Sequence, residues 1–548
     1  QPGVCPTLTS SSWAWAPRPA RGWAAAARAA GGGFTVTTPL YYANASPHMG
    51  SAYPTIAADA LARYARLREA ADTVHFVTGT DEHGEKIAES AAKAGVGPEA
   101  HVGSVSAEFR SLWDKLNIRF DHYVRTSADA KHRALVKEVV GRVKERGDIY
   151  KAAYTGLYCV GCEEFKQETD LEDGCVCPLH KKKCEERSEE NYFFRLSKYQ
   201  EALEELLESN PDFVRPEARR QEVLGWLKDG ARDFSISRAS VEWGIPIPGD
   251  DSQTVYVWFD ALLGYVSALL PDGEGVGAAE KRGWPADVHI VGKDILRFHC
   301  VYWPAMLMSA GLPLPGGVYG HGFLTKDGLK MGKSLGNVLD PVDLVDTFGA
   351  DRVRYFFLKE IDFGSDGDFS EVRFIDTVNA DLANDVGNCL NRTLNLLKKN
   401  CSGQLPLSSA DISSEHPVRA AAEAATSAYP GAMDVLNFNA ACVSALNIAG
   451  QCNLHLSETE PWKAFKGESE ADKSRAEETL VAVLEGMRIL AILLGPVTPS
   501  LAADIYLQLG FAQGTFEGTV WADTAWGGLG KGHVTNKPVP LITRLEKE

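Results

Sequence analysis

The sequence predicts an α/β fold: a doubly wound parallel sheet, split by an inserted domain and followed by a helical bundle. Three observations carry that prediction. A strand, a helix and a second strand follow closely between Phe34 and Thr78; the strand pattern resumes at Asp287, beyond a cysteine-rich stretch; after residue 370 apolar residues recur at intervals of three and four.

The chain has 548 residues, enough for three or four domains at roughly 150 residues each. Hydrophobic residues make up 45 % and charged ones 24 %, which excludes a mostly disordered or collagen-like chain. The longest uncharged apolar run, Ile489 to Ala503, is broken by Pro496 and Pro499 and is too short to span a bilayer, so no membrane association is expected. A net charge of −17 repels polyanions at long range, so any nucleic-acid partner must be met by local patches. Five of the eleven cysteines crowd between Cys159 and Cys184, a pattern of metal binding in a reducing compartment rather than of disulfide staples.

Residues 1–33 are acid-free and hold Arg18, Arg21 and Arg28 among Ala, Ser, Trp and Pro, the composition of an organelle transit peptide or a disordered leader. Folded structure is expected from Phe34. Phe34 to Thr38 is a β-branched buried strand; Ala52, Ile56, Ala60, Leu61, Tyr64 and Leu67 mark a helix; Val74 to Thr78 is a second strand, with Asp81 expected just beyond its end. This βαβ unit implies a parallel sheet with ligands gathered at the carboxyl ends of its strands. The first half of this nucleotide-binding fold is expected over 34–149, an insertion over 150–260, and the second half over 261–370. Val378, Leu382, Val386, Leu390, Leu394 and Leu397 then place an amphipathic helix against a core, and helical segments near 417–457 and 472–495 complete a bundle over 371–548. Two prolines in Lys537 to Ile542 bar a central strand, so the end of the chain is expected to pack back as an extended tail.

Neither a G-x-G-x-x-G fingerprint nor a complete P-loop is present, so phosphate binding must be built otherwise. Pro47-His48-Met49-Gly50 stands where the first strand gives way to its helix, near backbone N–H groups that favour an anion; Gly50 lets a flat ring approach the backbone. Lys330-Met-Gly-Lys333-Ser334 follows a glycine-rich strand beginning at His321, and two lysines three apart suit charge that develops on a phosphate during transfer.

With these, Gly79-Thr-Asp-Glu-His-Gly84, Tyr256-Val-Trp-Phe-Asp-Ala261 and Gly292-Lys-Asp-Ile-Leu-Arg-Phe-His299 occur in the order that resembles the methionyl-tRNA synthetases of the bacterial and organellar type, from about residue 34 to the end. Two positions depart from the family pattern: Ser51 replaces the second histidine of His-x-Gly-His, and Gly332 the first serine of Lys-Met-Ser-Lys-Ser. The resemblance implies a two-step ligase in which ATP with Mg2+ and L-methionine give methionyl-adenylate, and tRNA then takes the methionyl group. By the same carry-over His48, Lys330 and Lys333 are catalytic; His48, Gly50, Ser51, Asp294, Lys330, Lys333 and Ser334 meet ATP; Asp81 holds the methionine ammonium; and Leu40, Tyr42, Trp258, Tyr265, Phe298 and His299 surround the substrate. Asn388, Arg392 and Trp462 match positions that read the anticodon, one helical turn separating the first two. The expected partner is the tRNA specific for methionine, the expected state a monomer, and the expected location a mitochondrion or chloroplast, or the cytoplasm if residues 1–33 are not a targeting signal.

Cys159-Val-Gly-Cys162 and Cys177-Pro-Leu-His180 form two ligand pairs, each with two residues inside it, the spacing of a structural Cys3His zinc knuckle within the insertion. Cys175 and Cys184 are spare or replace one ligand. Two rival readings stay open at this point: another class I synthetase, such as one for cysteine, and a catalytically silent tRNA-binding paralogue.

Overall fold

The structure, a computed structural model, describes residues 33–68, 73–160, 164–166, 171–178, 181–239, 241–331 and 337–546. The transit-like segment therefore lies outside the described residues except for Gly33, as do Cys162, His180 and residues 332–336 with Lys333 and Ser334.

Six strands build the main sheet: β1 (Phe34–Tyr42), β2 (Val74–Asp81), β3 (His122–Arg125), β4 (Val214–Arg215), β5 (Val288–Gly292) and β6 (Val318–His321). Their spatial order is β3-β2-β1-β5-β6-β4, and every pairing is parallel. The order reverses between β1 and β5, which places a crevice at the carboxyl ends of those two strands. Both faces of the sheet are covered. Phe76, Val288 and Ile290 point into one core with helix α1 (Met49–Arg68), whereas Val77 and Val291 point into the other with α2 (Val257–Ser267). Burial on both sides is why even the threonines of β1, Thr35, Thr37 and Thr38, are fully buried.

Two strands run further than their composition suggests. β1 continues to Tyr42 through a bulge between Thr37 and Leu40, where Pro39 supplies no ladder donor. β2 continues through Gly79 because a Cβ there would stand 2.2 Å from the Val124 carbonyl oxygen of β3, a contact only glycine avoids. Leu40 then pairs with Gly79 and Tyr42 with Asp81, so Asp81 ends the strand instead of following it. The expected insertion also contributes to the sheet: Val214–Arg215, inside 150–260, forms the outer strand beside β6. The rest of that stretch carries a four-stranded antiparallel sheet around Ile149–Cys159 and Glu185–Phe194.

After α3 (Ala350–Glu360) and the short strand Gly367–Phe369 the chain is mainly helical. Val378–Asn388 is wound in wide π-type turns and leads directly into α4 (Cys389–Cys401). The apolar residues from Val378 to Leu394 recur at four-residue intervals, which keeps them on one buried stripe through the wider turns. Pro417–Met433, α5 (Phe438–Thr459) and α6 (Glu470–Leu494) complete the bundle, with Leu436 at φ 58° breaking what reads in sequence as one long segment. The bundle core is continuous with the α1 face of the sheet. No described helix is long and apolar enough to cross a membrane.

The chain end is extended, held by side-chain amides in place of a strand partner. The Asn379 amide donates to the Leu545 carbonyl at 2.9 Å and accepts from its N–H at 2.8 Å, and Gln508 grips Val539 in the same two-point way at 2.9 and 3.2 Å.

Candidate active site

At the reversal crevice β1, β2, α2 and the helical segment Phe298–Tyr302 that follows β5 bring the expected substrate residues together. Trp258 and Phe298 stack with ring centroids 3.9 Å apart and planes within 7°. His299 meets the Trp258 ring edge-on at 6.3 Å, and its Nε2 lies 2.8 Å from the Tyr265 hydroxyl. The tautomer follows from the other ring nitrogen: Nδ1 faces the Ile295 carbonyl at 3.0 Å and must carry the hydrogen, so Nε2 accepts from Tyr265. Burial pushes the His299 imidazole down to about 4, so it stays uncharged at neutral pH. Burial, and then the nearby Tyr41 and Asp81, hold the Tyr265 hydroxyl far above its ordinary range. Leu40 closes the base of the pocket against Gly264, where a Cβ would meet Leu40 Cδ1 at 2.3 Å. The result is an aromatic, uncharged wall with one buried carboxylate, Asp81, at the end of β2. Tyr42, paired to Asp81 in the ladder, has the Lys86 ammonium 5.8 Å from its ring centre.

A second histidine supports this wall from below. His289 Nε2 accepts from the Trp303 indole at 3.2 Å, so its Nδ1 donates to Thr37 Oγ1 at 2.6 Å. Burial holds His289 well below the usual imidazole range. Its ring lies 4.5 Å from Tyr265.

On the other side of the crevice His48 immediately precedes α1, and its carbonyl accepts from Ser51 N at 2.9 Å and Ala52 N at 3.0 Å. The exposed imidazole folds over Gly50, where a Cβ would come within 2.8 Å of the ring, so this glycine admits the histidine itself. Ser51 behaves differently from its expected role at ATP. It is buried, and its hydroxyl donates to the His48 carbonyl at 2.7 Å while accepting from the His48 N–H at 3.1 Å. A short hydroxyl at this position locks the turn rather than reaching out of it.

Asp294 is exposed just beyond β5, with its carboxylate folded over Gly292, where a Cβ would stand 2.5 Å from Oδ1. The strand carrying Lys330 is described: Leu324–Lys326 pairs antiparallel with Leu329–Lys330 around Asp327 and Gly328, both at positive φ, and in parallel with Gly367–Phe369. Lys293 anchors the base of this hairpin, 2.7 Å from Asp366, whose carboxylate also accepts from Phe323 N. Lys333 and Ser334 follow, outside the described residues.

Sequence reasoning missed several polar groups around this site. His321, at the carboxyl end of β6, is buried, donates from Nδ1 to the Gly322 carbonyl at 2.8 Å and is pushed by burial down to about 4. Beneath Asp81 and Trp258, Asp260 is buried between His83 and His132. Spacing does not mark His83 and His132 as partners of Asp260, because they lie 177 and 128 positions from it.

In the bundle, Arg392 sets its guanidinium 5.5 Å from the centre of the Trp462 ring, with Asn388 exposed one turn before Arg392. Two residues 70 positions apart thus meet on one surface.

In the insertion Cys159, Cys177 and Cys184 pack into one buried cluster with Leu157 and Leu171. The loop is drawn in by bonds from Cys184 N to the Cys175 carbonyl and from Cys177 N to the Lys182 carbonyl, both 2.9 Å. Burial, and then the facing Cys159 and Cys177, push the Cys184 thiol up to about 11. No group of three or more His, Cys, Asp or Glu side chains is arranged to hold a metal ion among the described residues, which exclude Cys162 and His180.

Comparison with known proteins matches this arrangement to one family. The family model for class I tRNA synthetases (M) matches residues 34–181 and 167–394, and the anticodon-binding domain of methionyl tRNA ligase matches 405–548. The chain belongs to the methionyl-tRNA synthetase family. It is 53 % identical over 515 residues to a chloroplastic/mitochondrial methionine–tRNA ligase of Arabidopsis thaliana, covering 94 % of this chain and 83 % of that one. It is 50 % identical to a methionine–tRNA ligase of Nostoc sp., covering 94 % and 97 %. Among solved structures, Mycobacterium tuberculosis methionyl-tRNA synthetase in complex with methionyl-adenylate superposes with a TM-score of 0.88 at 40 % identity, covering 93 % of this chain and 99 % of that one. Membership in this synthetase family removes the rival reading of a cysteine enzyme.

Proposed function

We propose that this chain joins L-methionine to its cognate tRNA at the expense of ATP, through methionyl-adenylate, with the crevice residues in the roles their geometry supports. The observation that carries this reading is the uncharged aromatic wall of Trp258, Phe298, Tyr265 and His299 beside the single carboxylate of Asp81. Stacked rings suit a polarizable thioether, and a buried carboxylate suits an ammonium. The methionine carboxylate attacks the α-phosphorus of ATP and pyrophosphate leaves. A terminal hydroxyl of the tRNA then attacks the adenylate carbonyl and AMP leaves. Neither step needs a covalent nucleophile from the protein, only positioning and stabilisation of phosphate charge. His48, Lys330 and Lys333 supply that charge stabilisation with Mg2+, and Gly50, Asp294 and Ser334 border the nucleotide. Ser51 acts indirectly, by fixing the His48 turn.

The test is ATP–pyrophosphate exchange, expected with methionine and absent with cysteine. Paired with it, Trp462→Ala is expected to leave exchange unchanged while lowering charging of methionine tRNA roughly five- to a hundredfold, because stacking on a base contributes about 1 to 3 kcal/mol. An equal loss of exchange would show that Trp462 supports the fold instead of reading RNA with Asn388 and Arg392.

We further propose one structural zinc in the insertion. The reduced, buried thiols of Cys159 and Cys177 fit a thiolate set with Cys162 and His180, and the burial of Cys184 against them makes it a competing fourth ligand. Such an ion would pin the loop after Ile149–Cys159 and takes no part in the chemistry. Purified protein is expected to hold one zinc per chain by elemental analysis, with Cys159→Ser lowering that content. If Cys184→Ser loses zinc and His180→Ala keeps it, the fourth ligand is Cys184; the reverse result assigns His180.

Import into a chloroplast or mitochondrion is the location we propose, supported by the acid-free, arginine-bearing residues 1–33 and by the organellar relative.

A further inference from the structure

Asp260 is 1 % exposed, and both its oxygens are engaged by imidazoles from different parts of the chain. Oδ2 lies 2.6 Å from His83 Nδ1, and Oδ1 lies 2.7 Å from His132 Nε2. Burial by itself would raise this carboxyl, but His83 and His132 hold it at about 2, so it is a carboxylate that only accepts. Each facing imidazole nitrogen therefore donates. His132 is fixed in turn by Ser267, 2.9 Å from its Nδ1, at the far end of α2.

The position of this pair gives it meaning. His83 follows Asp81 by two residues, and Asp260 follows Trp258 by two residues. On a helix a two-residue step is about 200°, so Asp260 is gripped on the side of α2 roughly opposite Trp258. The backbone between Asp81 and His83 is held as well: Glu82 N donates to Thr126 Oγ1 at 2.8 Å, its carbonyl accepts from the Trp243 indole at 2.6 Å, and its carboxylate is bound by Arg125 and Ser127. With Glu82 held by Thr126, Arg125, Ser127 and Trp243, the His83–Asp260 bond is a side-chain link from this segment to the first turn of α2.

We propose that His83 is a positioning residue for amino-acid recognition: its bond to Asp260 sets the separation between the carboxylate of Asp81 and the aromatic wall begun by Trp258. A substrate with an ammonium at one end and a thioether at the other needs that separation fixed, since a displacement of about 1 Å can cost up to a hundredfold. The proposal rests on Asp81 and Trp258 contacting methionine; ATP, held on the His48 side of the crevice, does not depend on the link.

The experiment measures exchange kinetics of the full chain with methionine and ATP varied separately. His83→Ala is expected to raise KM for methionine about ten- to a hundredfold, with KM for ATP within about twofold. His83→Asn, whose amide N–H falls near the position of Nδ1, is expected to recover methionine KM to within about threefold. Parallel loss in both substrates, or an Asn variant no better than Ala, overturns the proposal and makes the bond a packing feature. Asp81→Asn separates the two levels: if it leaves methionine KM unchanged, the site reading fails and the proposal with it. If Asp81→Asn raises that KM while His83→Ala does not, only the positioning role falls.

Discussion

Replacing Lys333 with alanine is expected to slow methionyl-adenylate formation by roughly two to four orders of magnitude, with little change in methionine affinity. The proposed methionine contacts all lie on β1, β2, α2 and the helical segment Phe298–Tyr302, and none belongs to the Lys330–Ser334 stretch. The hairpin ending at Leu329–Lys330 feeds that stretch, and its base is pinned through Lys293 and Asp366 beside the carboxyl end of β5. In the proposed role Lys333 acts on the phosphates as charge moves during in-line displacement, so its removal is expected to cost about 3 to 5 kcal/mol in the transition state and little in the ground state. Single-turnover adenylate formation, alongside equilibrium methionine binding, provides the measurement. An equal fall in rate and in methionine affinity would assign Lys333 to the substrate pocket instead.

Replacing Arg354 with methionine is expected to destabilise the protein by about 3 to 5 kcal/mol, since it takes from the buried Asp59 one of its two arginines, leaving only the partly exposed Arg63, and strips three buried carbonyls of their donor. Arg354 is fully buried on α3 and stands 2.6 Å from Asp59, itself fully buried on α1. The same guanidinium donates to the carbonyls of Val497 at 2.8 Å, Pro496 at 2.9 Å and Leu116 at 3.2 Å. One side chain thus joins the helix that begins after His48, the end of the neighbouring helix Pro98–Lys115, and the turn after α6. Adding Asp59→Leu to Arg354→Met is expected to restore part of the loss, because a buried charge left with Arg63 as its one arginine goes while the three carbonyls stay unpaired. Chemical denaturation of the single and double variants measures this. A change within about 0.5 kcal/mol in the single variant would mean that the pair contributes nothing net.

The sheet strands, the helix after His48 and the bundle helices were legible because each buries a face whose apolar residues recur at a local period. The residues of the aromatic wall were legible through the ordered motifs, since Trp258, Tyr265, Phe298 and His299 lie within or beside short recognisable segments. Where the reading fell short, the cause was contact between distant residues. β2 was cut at Thr78 because glycine weakens a strand signal, yet Gly79 is there so that β3 can approach. Val214–Arg215 is too short to show any period and becomes a strand only because β6 offers it a partner. Ser51 reads as a departure at the nucleotide site, and the structure adds that its hydroxyl bonds the His48 backbone.

By itself, then, the sequence determined the family, the order of the α/β halves and the bundle, and the residues of the aromatic wall, because these are written in short-range patterns of residue type. Tertiary structure alone decided which tautomer His299 adopts, how Asp59 and Arg354 bind the bundle to the sheet, and that His83 meets Asp260 across 177 positions. A buried hydrogen bond depends on distance, direction and exclusion of water, and none of these has a period along the chain.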